Sequence, residues 1–342
     1  MKTRFFFLLS GENEKLSQGE LKAILEASGL PFSFSASGRV AIVETDYRVA
    51  QLILERSAMC HYGCLLVAES PPSLNLLFDA LSSSPINSIV SPTDSFAVRA
   101  KPVNPLPYEV DTMLLERTLG EFVKKMTDAR VNLKNPNKLL VCLLTEKEFL
   151  FGLCIGRSAR KSFRLRPTRY RPFMTSSSMS PFTARTMVNL ARALSGHILL
   201  DPFCGSGSIL IEAALIGCRV VGGDIDPRMV RGAKANFNYY QIDGDLLIGD
   251  ARYLPFSSVD RVVTDPPYGR AASTKGVPLD VLLQHFLSSM SSVLKKGGWL
   301  CMACPSNVNV ERYMDVHDFK IVETYQVRVH GGLTRKIVVS KR

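Results

Sequence analysis

Hydrophobic positions along the chain change period several times, and the changes mark three segments joined by a basic stretch. In residues 1–69 the short apolar run Phe5 to Leu9 reads as a strand over Arg4–Leu9. Ser17 with Glu20 forms a capping-box pattern ahead of Leu21, Ile24 and Leu25, which share one helical face. Phe32–Ala36 and Arg39–Glu44 alternate as a hairpin across Ser37-Gly38, followed by a helix over Tyr47–Ser57 and a strand over Gly63–Ala68. That order predicts a ferredoxin-like β-α-β-β-α-β unit.

Pro71-Pro72 opens a second segment, residues 70–156. It predicts a helix near Leu74–Leu81, a strand over Ser95–Ala100 and an amphipathic helix from Asp111 to Met126. Paired strands over Lys138–Leu144 and Phe149–Ile155 follow. Beyond about Ser178, in residues 178–342, helices and strands alternate. Thr183–Leu194, Ser208–Ile216, Arg228–Asn236 and Leu279–Leu294 are helical; His197–Leu200, Arg219–Gly223, Leu246–Ile248, Arg261–Thr264 and Trp299–Ala303 are extended. Such alternation builds a mostly parallel, doubly wound sheet, and Lys320–Arg328 with Arg335–Ser340 closes it as an antiparallel hairpin.

Between these segments, residues 157–177 form the linker, with Arg157, Arg160, Lys161, Arg164, Arg166, Arg169 and Arg171 and no acidic residue among them. Phe163, Tyr170 and Phe173 are interleaved. Guanidinium groups suit phosphates and aromatic rings stack on unpaired bases, so the stretch is read as an RNA contact rather than a solvated connector. The whole chain points the same way, with 42 Lys and Arg against 31 Asp and Glu and a formal charge of +11, a balance that suits a polyanionic partner. Phe5–Leu9 is too short for a signal-peptide core and no run approaches the roughly 18 apolar residues of a membrane span, so a cytoplasmic protein without a membrane partner is expected. Eight cysteines lack the rhythm of a disulfide scaffold. Cys301 with Cys304, and Cys60 with His61 and Cys64, want a second ligand pair, and are read as buried thiols rather than metal ligands.

Four motifs fall in order on the last segment, each at the carboxyl end of a predicted strand, where open α/β sheets bind ligands. DPFCGSGSI places an acid, Asp201, before the turn of Gly205 and Gly207. Leu210 stands where a dinucleotide fingerprint wants a third glycine, and no Lys precedes a Ser or Thr as in a phosphate-binding loop. This suits a cofactor with a positively charged amino-acid tail and no phosphates, such as S-adenosylmethionine. GGDIDP places Asp224 about twenty residues further on, where an acid can accept both ribose hydroxyls; Asp226, before Pro227, reads as a helix cap. Gly249-Asp250 ends the third strand, placed for an adenine amino group. TDPPYG ends the fourth. An exocyclic amine is a poor nucleophile because its lone pair is delocalised into the ring. A carboxylate (Asp265) and a carbonyl (Pro266) accepting its two N–H bonds favour a pyramidal nitrogen, Pro267 stiffens the turn, and Tyr268 can stack on an extruded base.

The series DPFCGSG, GGDIDP, GD and DPPYG resembles the amino-methyltransferases with a seven-stranded Rossmann-like fold, and the front half resembles a THUMP domain preceded by a ferredoxin-like companion. RPFMTSSSMSPFTARTMVNLAR (171–192) and RVHGGLTRKIVV (328–339) are similar to the archaeal tRNA guanine-N(2) methyltransferases acting at position 10 of tRNA. The resemblance spans essentially the whole chain. It implies an α/β protein with ferredoxin-like (1–69), THUMP (70–156) and Rossmann-like methyltransferase (178–342) domains around the linker. By it, Asp201, Phe203, Gly205, Gly207, Asp224, Ile225, Asp250 and Ala251 would hold S-adenosylmethionine, and Asp265, Pro266, Pro267 and Tyr268 the amine. tRNA is the implied substrate, gripped by the THUMP part at its acceptor end, with N(2)-methyl- and N(2),N(2)-dimethylguanosine as products. A small activator subunit is a further candidate partner, and the chain is taken as a monomer. The resemblance departs at Gly331-Gly332, where bulkier residues are expected, which gives His330 and Arg335 no base-contacting role.

The residues leave other readings open: a methyltransferase of guanine at position 6 of tRNA or in rRNA, an adenine or cytosine amino-methyltransferase of DNA, and a non-catalytic RNA-binding scaffold. A thiolation enzyme is excluded by the absence of an SGGxDS-type loop.

Overall fold

In the computed structural model, residues 3–107, 109–253, 255–256, 258–267, 276, 278–330 and 333–342 are described. Two compact units emerge. The first is Met1–Gln18, Leu30–Glu55 and Cys60–Ser158; the second is Gly19–Gly29, Arg56–Met59 and Ala159–Arg342.

The elements up to Ser70 are β1 (Thr3–Leu9), α1 (Glu14–Ala27), β2 (Ser33–Ser37), β3 (Val40–Thr45), α2 (Tyr47–Arg56) and β4 (Cys60–Ser70). After them come α3 (Leu74–Ser82), α4 (Ile86–Ile89), β5 (Ser95–Pro102), α5 (Thr112–Thr127), β6 (Arg130–Val131), β7 (Lys138–Leu144) and β8 (Phe149–Arg157). All these strands join one sheet in the order β2-β3-β1-β4-β8-β7-β5-β6. Helix α5 packs on it through Leu115, Leu119 and Val123, against Phe96, Val98, Leu140 and Phe151. Asp111 caps α5 by accepting N–H bonds from Met113 and Leu114.

Two local expectations change here. Helix α1 starts three residues before the expected cap, because Asn13 Oδ1 already accepts the Leu16 N–H at 3.1 Å. Ser17 lies inside the helix with its hydroxyl turned back to the Asn13 carbonyl, 2.8 Å away. Fully buried Glu20 bonds the N–H groups of Ala58 and Met59 instead of its own helix. In the hairpin, Ser37 pairs with Val40, so the turn is Gly38-Arg39, one residue on, with Gly38 at φ +55°. Only glycine reaches that conformation without strain.

The second unit continues with α6 (Arg160–Leu165), a single 3₁₀ turn (Thr168–Tyr170), α7 (Pro181–Leu190), β9 (Ile198–Asp201), α8 (Ser208–Ala214), β10 (Arg219–Asp224) and α9 (Pro227–Tyr239). It closes with β11 (Gly244–Ile248), β12 (Val259–Thr264), α10 (Leu279–Val293), β13 (Leu294–Pro305), α11 (Glu311–Val316), β14 (Lys320–His330) and β15 (Leu333–Lys341). Helix α7 ends at Leu190, short of the expected Leu194, since Arg192 turns left-handed at φ +50°. The sheet runs β11-β10-β9-β12-β13-β15-β14, parallel from β11 to β13 and antiparallel across β13-β15-β14. One face buries Leu200, Val262, Leu300 and Met302 against Leu283, Phe286 and Met290 of α10. Among the described residues no helix is long and apolar enough to cross a membrane. Cys301 and Cys304 lie buried in β13, where burial pushes both thiols up, Cys304 to about 12.

Candidate active site

Because β9 to β12 are parallel, their carboxyl ends share one edge, and the four motifs meet there. Asp201 of β9 pairs with Gly222 of β10, Asp224 of β10 with Ile248 of β11, and Val262 of β12 with Leu200 of β9. Asp265 follows directly on the end of β12, and Asp250 stands two residues beyond the end of β11.

The loop after β9 is shaped by two glycines with opposite surroundings. Gly205 (φ +51°) and Gly207 (φ +79°) are both left-handed. A Cβ on Gly207 would stand 3.1 Å from a ring carbon of Phe237 on α9, so this residue brings loop and helix together. A Cβ on Gly205 would meet no atom of the described residues within 4 Å; among them it faces open space. The loop is tied to the next strand by the Gly205 N–H donating to Asp224 Oδ2 at 3.0 Å and the Cys204 N–H donating to the Gly223 carbonyl at 2.8 Å.

The carboxylates differ sharply in environment. Asp201 is 1% exposed, and its Oδ1 accepts from the Thr264 hydroxyl at 2.7 Å and from the Phe203 N–H at 3.2 Å. Burial pushes it up to about 7, with Asp265 and Asp224 adding to the shift, against the two hydrogen bonds. Asp224 takes the Gly205 N–H on one oxygen and the Asp226 N–H on the other. Asp226 itself caps α9, accepting from the Arg228 N–H, and it pairs with the Arg228 guanidinium at 2.8 Å. Asp250 is gripped by Arg252 two residues on, with Nε at 3.0 Å and Nη2 at 2.6 Å, and that guanidinium holds its carboxyl below the usual range. Asp265 receives Arg335 Nη2 at 3.0 Å, both side chains about five-sixths buried. Pro266 is buried and Pro267 half-buried. Tyr268 lies outside the described residues.

The remaining cofactor candidates take distinct places. Phe203 packs edge-on against Phe286, ring centroids 5.3 Å apart. Ile225, next to Asp224, is 46% exposed and offers an apolar surface, while Ala251 is buried in the core and has only its backbone to offer.

This donor set repels phosphate: the strand ends carry carboxylates, and the glycine loop holds its N–H toward Asp224 rather than outward. It attracts a cation, and the vacant side of Gly205 leaves room for one close to the backbone. A zwitterionic sulfonium amino acid fits these residues; a dinucleotide does not.

The comparisons with known proteins agree. A match to the RMKL-like methyltransferase domain family spans residues 168–337. A tRNA (guanine(10)-N2)-dimethyltransferase from Methanothermobacter thermautotrophicus is 38% identical over 338 residues, 98% of each chain. Another from Methanocaldococcus jannaschii is 31% identical over 362 residues, 98% of this chain and 99% of its own. The chain belongs to the tRNA (guanine(10)-N2)-dimethyltransferase family. The crystal structure of TrmN from Thermus thermophilus has the same fold, with a TM-score of 0.55 and 23% identity over 99% of both chains.

In this member of the dimethyltransferase family, the basic stretch ahead of the catalytic unit is less free than its composition suggested. Arg166 donates through Nε and Nη2, each at 2.8 Å, to the two oxygens of Glu212, a fully buried residue of α8, which also pairs with buried Arg185 at 2.9 Å. A compensating carboxylate therefore exists, supplied from another element. Arg160 donates to the Ala58 carbonyl at 2.9 Å and lies over the Phe182 ring, and Arg171 is buried with its Nη1 on the Ser208 hydroxyl at 2.7 Å. Arg157, Lys161, Arg164 and Arg169 remain exposed, beside Tyr170 at 59% exposure. Arg160 and Arg166 are thus fold-supporting residues in the geometry seen, and four cations are left facing solvent.

Sequence reasoning missed the partners of the site. Thr264, Arg252 and Arg335 each hold one of the motif carboxylates. Only Arg252 carried a signal, its closeness to Asp250 along the chain.

Proposed function

We propose that this chain transfers methyl groups from S-adenosylmethionine to the exocyclic N2 of guanosine 10 in tRNA, forming N(2)-methyl- and then N(2),N(2)-dimethylguanosine. The observation that carries the proposal is the single sheet edge on which the open glycine loop and the Asp265-Pro266-Pro267 turn stand together. When bound, the cofactor supplies an electrophilic methyl group on a sulfonium. Asp224 would accept its ribose hydroxyls and Ile225 would lie against the adenine. The Ala251 backbone and Asp250 would meet the adenine edge, the latter if Arg252 swings aside. Gly205 would let the backbone approach, with Asp201, Phe203 and Gly207 shaping the loop behind it.

Asp265 and the Pro266 carbonyl would accept the amine N–H bonds, drawing the lone pair out of conjugation and aiming it. Holding the nitrogen in line with the departing methyl is a matter of positioning, the largest lever such a site has. Tyr268, by the DPPY pattern, would stack on the extruded base. The β2-β3-β1-β4 order supports a ferredoxin-like reading of residues 1–69, and the front sheet's continuation through β8-β7-β5-β6 supports a THUMP reading of residues 70–156. That half would grip tRNA, with the exposed cations Arg157, Lys161, Arg164 and Arg169 adding phosphate contacts and Arg160 and Arg166 contributing only through the fold.

The test is incubation with an unmodified tRNA transcript and labelled cofactor, followed by nucleoside mapping. Label in dimethylguanosine at position 10, absent with Asp265→Ala while cofactor affinity stays within a few-fold, is the expected result. Label at another nucleotide, or a fully active Asp265→Ala, overturns the assignment.

A further inference from the structure

Arg335 lies outside all four motifs, yet it makes an ion pair to the amine-binding turn. It stands near the start of β15, opposite Pro305 at the end of β13, so an antiparallel strand delivers a cation to the edge where the parallel strands end in acids. Its Nη2 is 3.0 Å from Asp265 Oδ2. Its Nε is buried and has no hydrogen-bond partner among the described residues. A buried guanidinium with an unsatisfied N–H is a cost to folding that an apolar side chain would avoid. The residue is therefore poorly explained as a packing element, and its one strong contact points at Asp265.

The need for it follows from the surroundings. The charge of Asp265 is close enough to buried Asp201 on β9 to help raise that carboxyl, so the turn sits among other acids. A protonated Asp265 would donate rather than accept, and an unpinned one would turn about its terminal bond, with either change releasing the amine. A fixed cation on Oδ2 favours the accepting form and restrains that turn.

We propose that Arg335 is the positioning residue of the methyl-transfer step: it holds the Asp265 carboxylate in the orientation in which it meets the target amine. The inference rests on the assignment of Asp265 as an amine acceptor made above.

The experiment uses the full chain with Arg335→Met, which keeps an unbranched stem of similar reach without charge, and Arg335→Lys, which keeps the charge. Single-turnover methylation at saturating cofactor and tRNA is measured beside both dissociation constants and the melting temperature. For Arg335→Met, the loss of one charge-assisted bond should slow transfer about 10- to 100-fold, with both dissociation constants within about threefold. Its melting temperature should fall, since Asp265 loses its cation, while Arg335→Lys should recover much of the rate and of the melting temperature. A wild-type rate for Arg335→Met overturns the inference. So does equal slowing of both variants with an equal fall in melting temperature, which would make the residue structural. Should Arg335→Met fail to fold, that too marks it as structural, and the rate of Arg335→Lys then stands alone: no recovery over a fully neutral Arg335→Gln sinks the proposal. Asp265→Ala run alongside separates the two claims. If it is active, the acceptor assignment itself fails; if it is inactive while Arg335→Met is not slowed, only the role of Arg335 fails.

Discussion

Gly205→Ala separates the cofactor's space from the loop's own stability. The added methyl meets no atom of the described residues within 4 Å, so they impose no steric cost. The N–H that donates to Asp224 at 3.0 Å is retained. What remains is the conformation: at φ +51°, alanine costs about 1 kcal/mol relative to glycine. For a unit of this size that is a fall in melting temperature of roughly 2–4 °C. The new methyl would, however, occupy the space in which the cofactor must approach the backbone. A loss of tenfold or more in affinity, about 1.4 kcal/mol, should follow. Gly196→Ala is the control, because Gly196 also lies at positive φ (+84°) with open space at its Cβ, but precedes β9 at the opposite edge of the sheet. Calorimetric titration with S-adenosylmethionine and thermal melts of both variants give the comparison. Similar melting shifts are expected, with weakened binding in Gly205→Ala alone. Equal affinity in the two variants would show that the open side of the loop is not where the cofactor lies, and the reasoning from glycine geometry would be wrong.

Other consequences can be checked independently. Glu212→Ala would strand Arg166 and Arg185 against a vacated site; since Arg185 is only 5% exposed and cannot turn to water, destabilisation of about 3–5 kcal/mol is expected in urea titration. A loss under about 1 kcal/mol would show the triad to be dispensable. Asp201 takes up a proton on folding between its ordinary acidic range and about 7, so its burial erodes stability as pH rises through that window and no further above it. Asp201→Asn keeps an acceptor for the Thr264 hydroxyl and should therefore gain on the unaltered chain between pH 4.5 and 8 (chosen as roughly bracketing the window); parallel stability curves would contradict this. Reversing Lys161, Arg164 and Arg169 to Glu should weaken tRNA binding and flatten its salt dependence while leaving the melting temperature in place. Unchanged binding would return this stretch to the status of a connector.

Much of the architecture was legible because it is written in short range. Alternation of apolar periods located most strands and helices of the second unit to within a few residues, though not α6 or α11, and the acid-glycine and DPPY motifs marked strand ends in the right order. Errors arose where a local signal had a competitor. Ser17 and Glu20 spelled a capping box, but Asn13 stood earlier and Glu20 found better donors at Ala58 and Met59. The arginine-rich stretch seemed to lack acids because the acid that holds Arg166 sits on α8, well beyond the stretch itself.

The amino-acid sequence by itself determined most of the residues that form elements, the glycine turn after β9, and which strand ends carry carboxylates, since these depend on neighbours a few positions apart. Only the tertiary structure decided what each carboxylate meets: Thr264 on Asp201 and Arg335 on Asp265. Those pairings join strands that are distant in the chain and adjacent, or nearly so, in the sheet. Strand order is set by how apolar faces pack across the whole unit, and no local spacing encodes it.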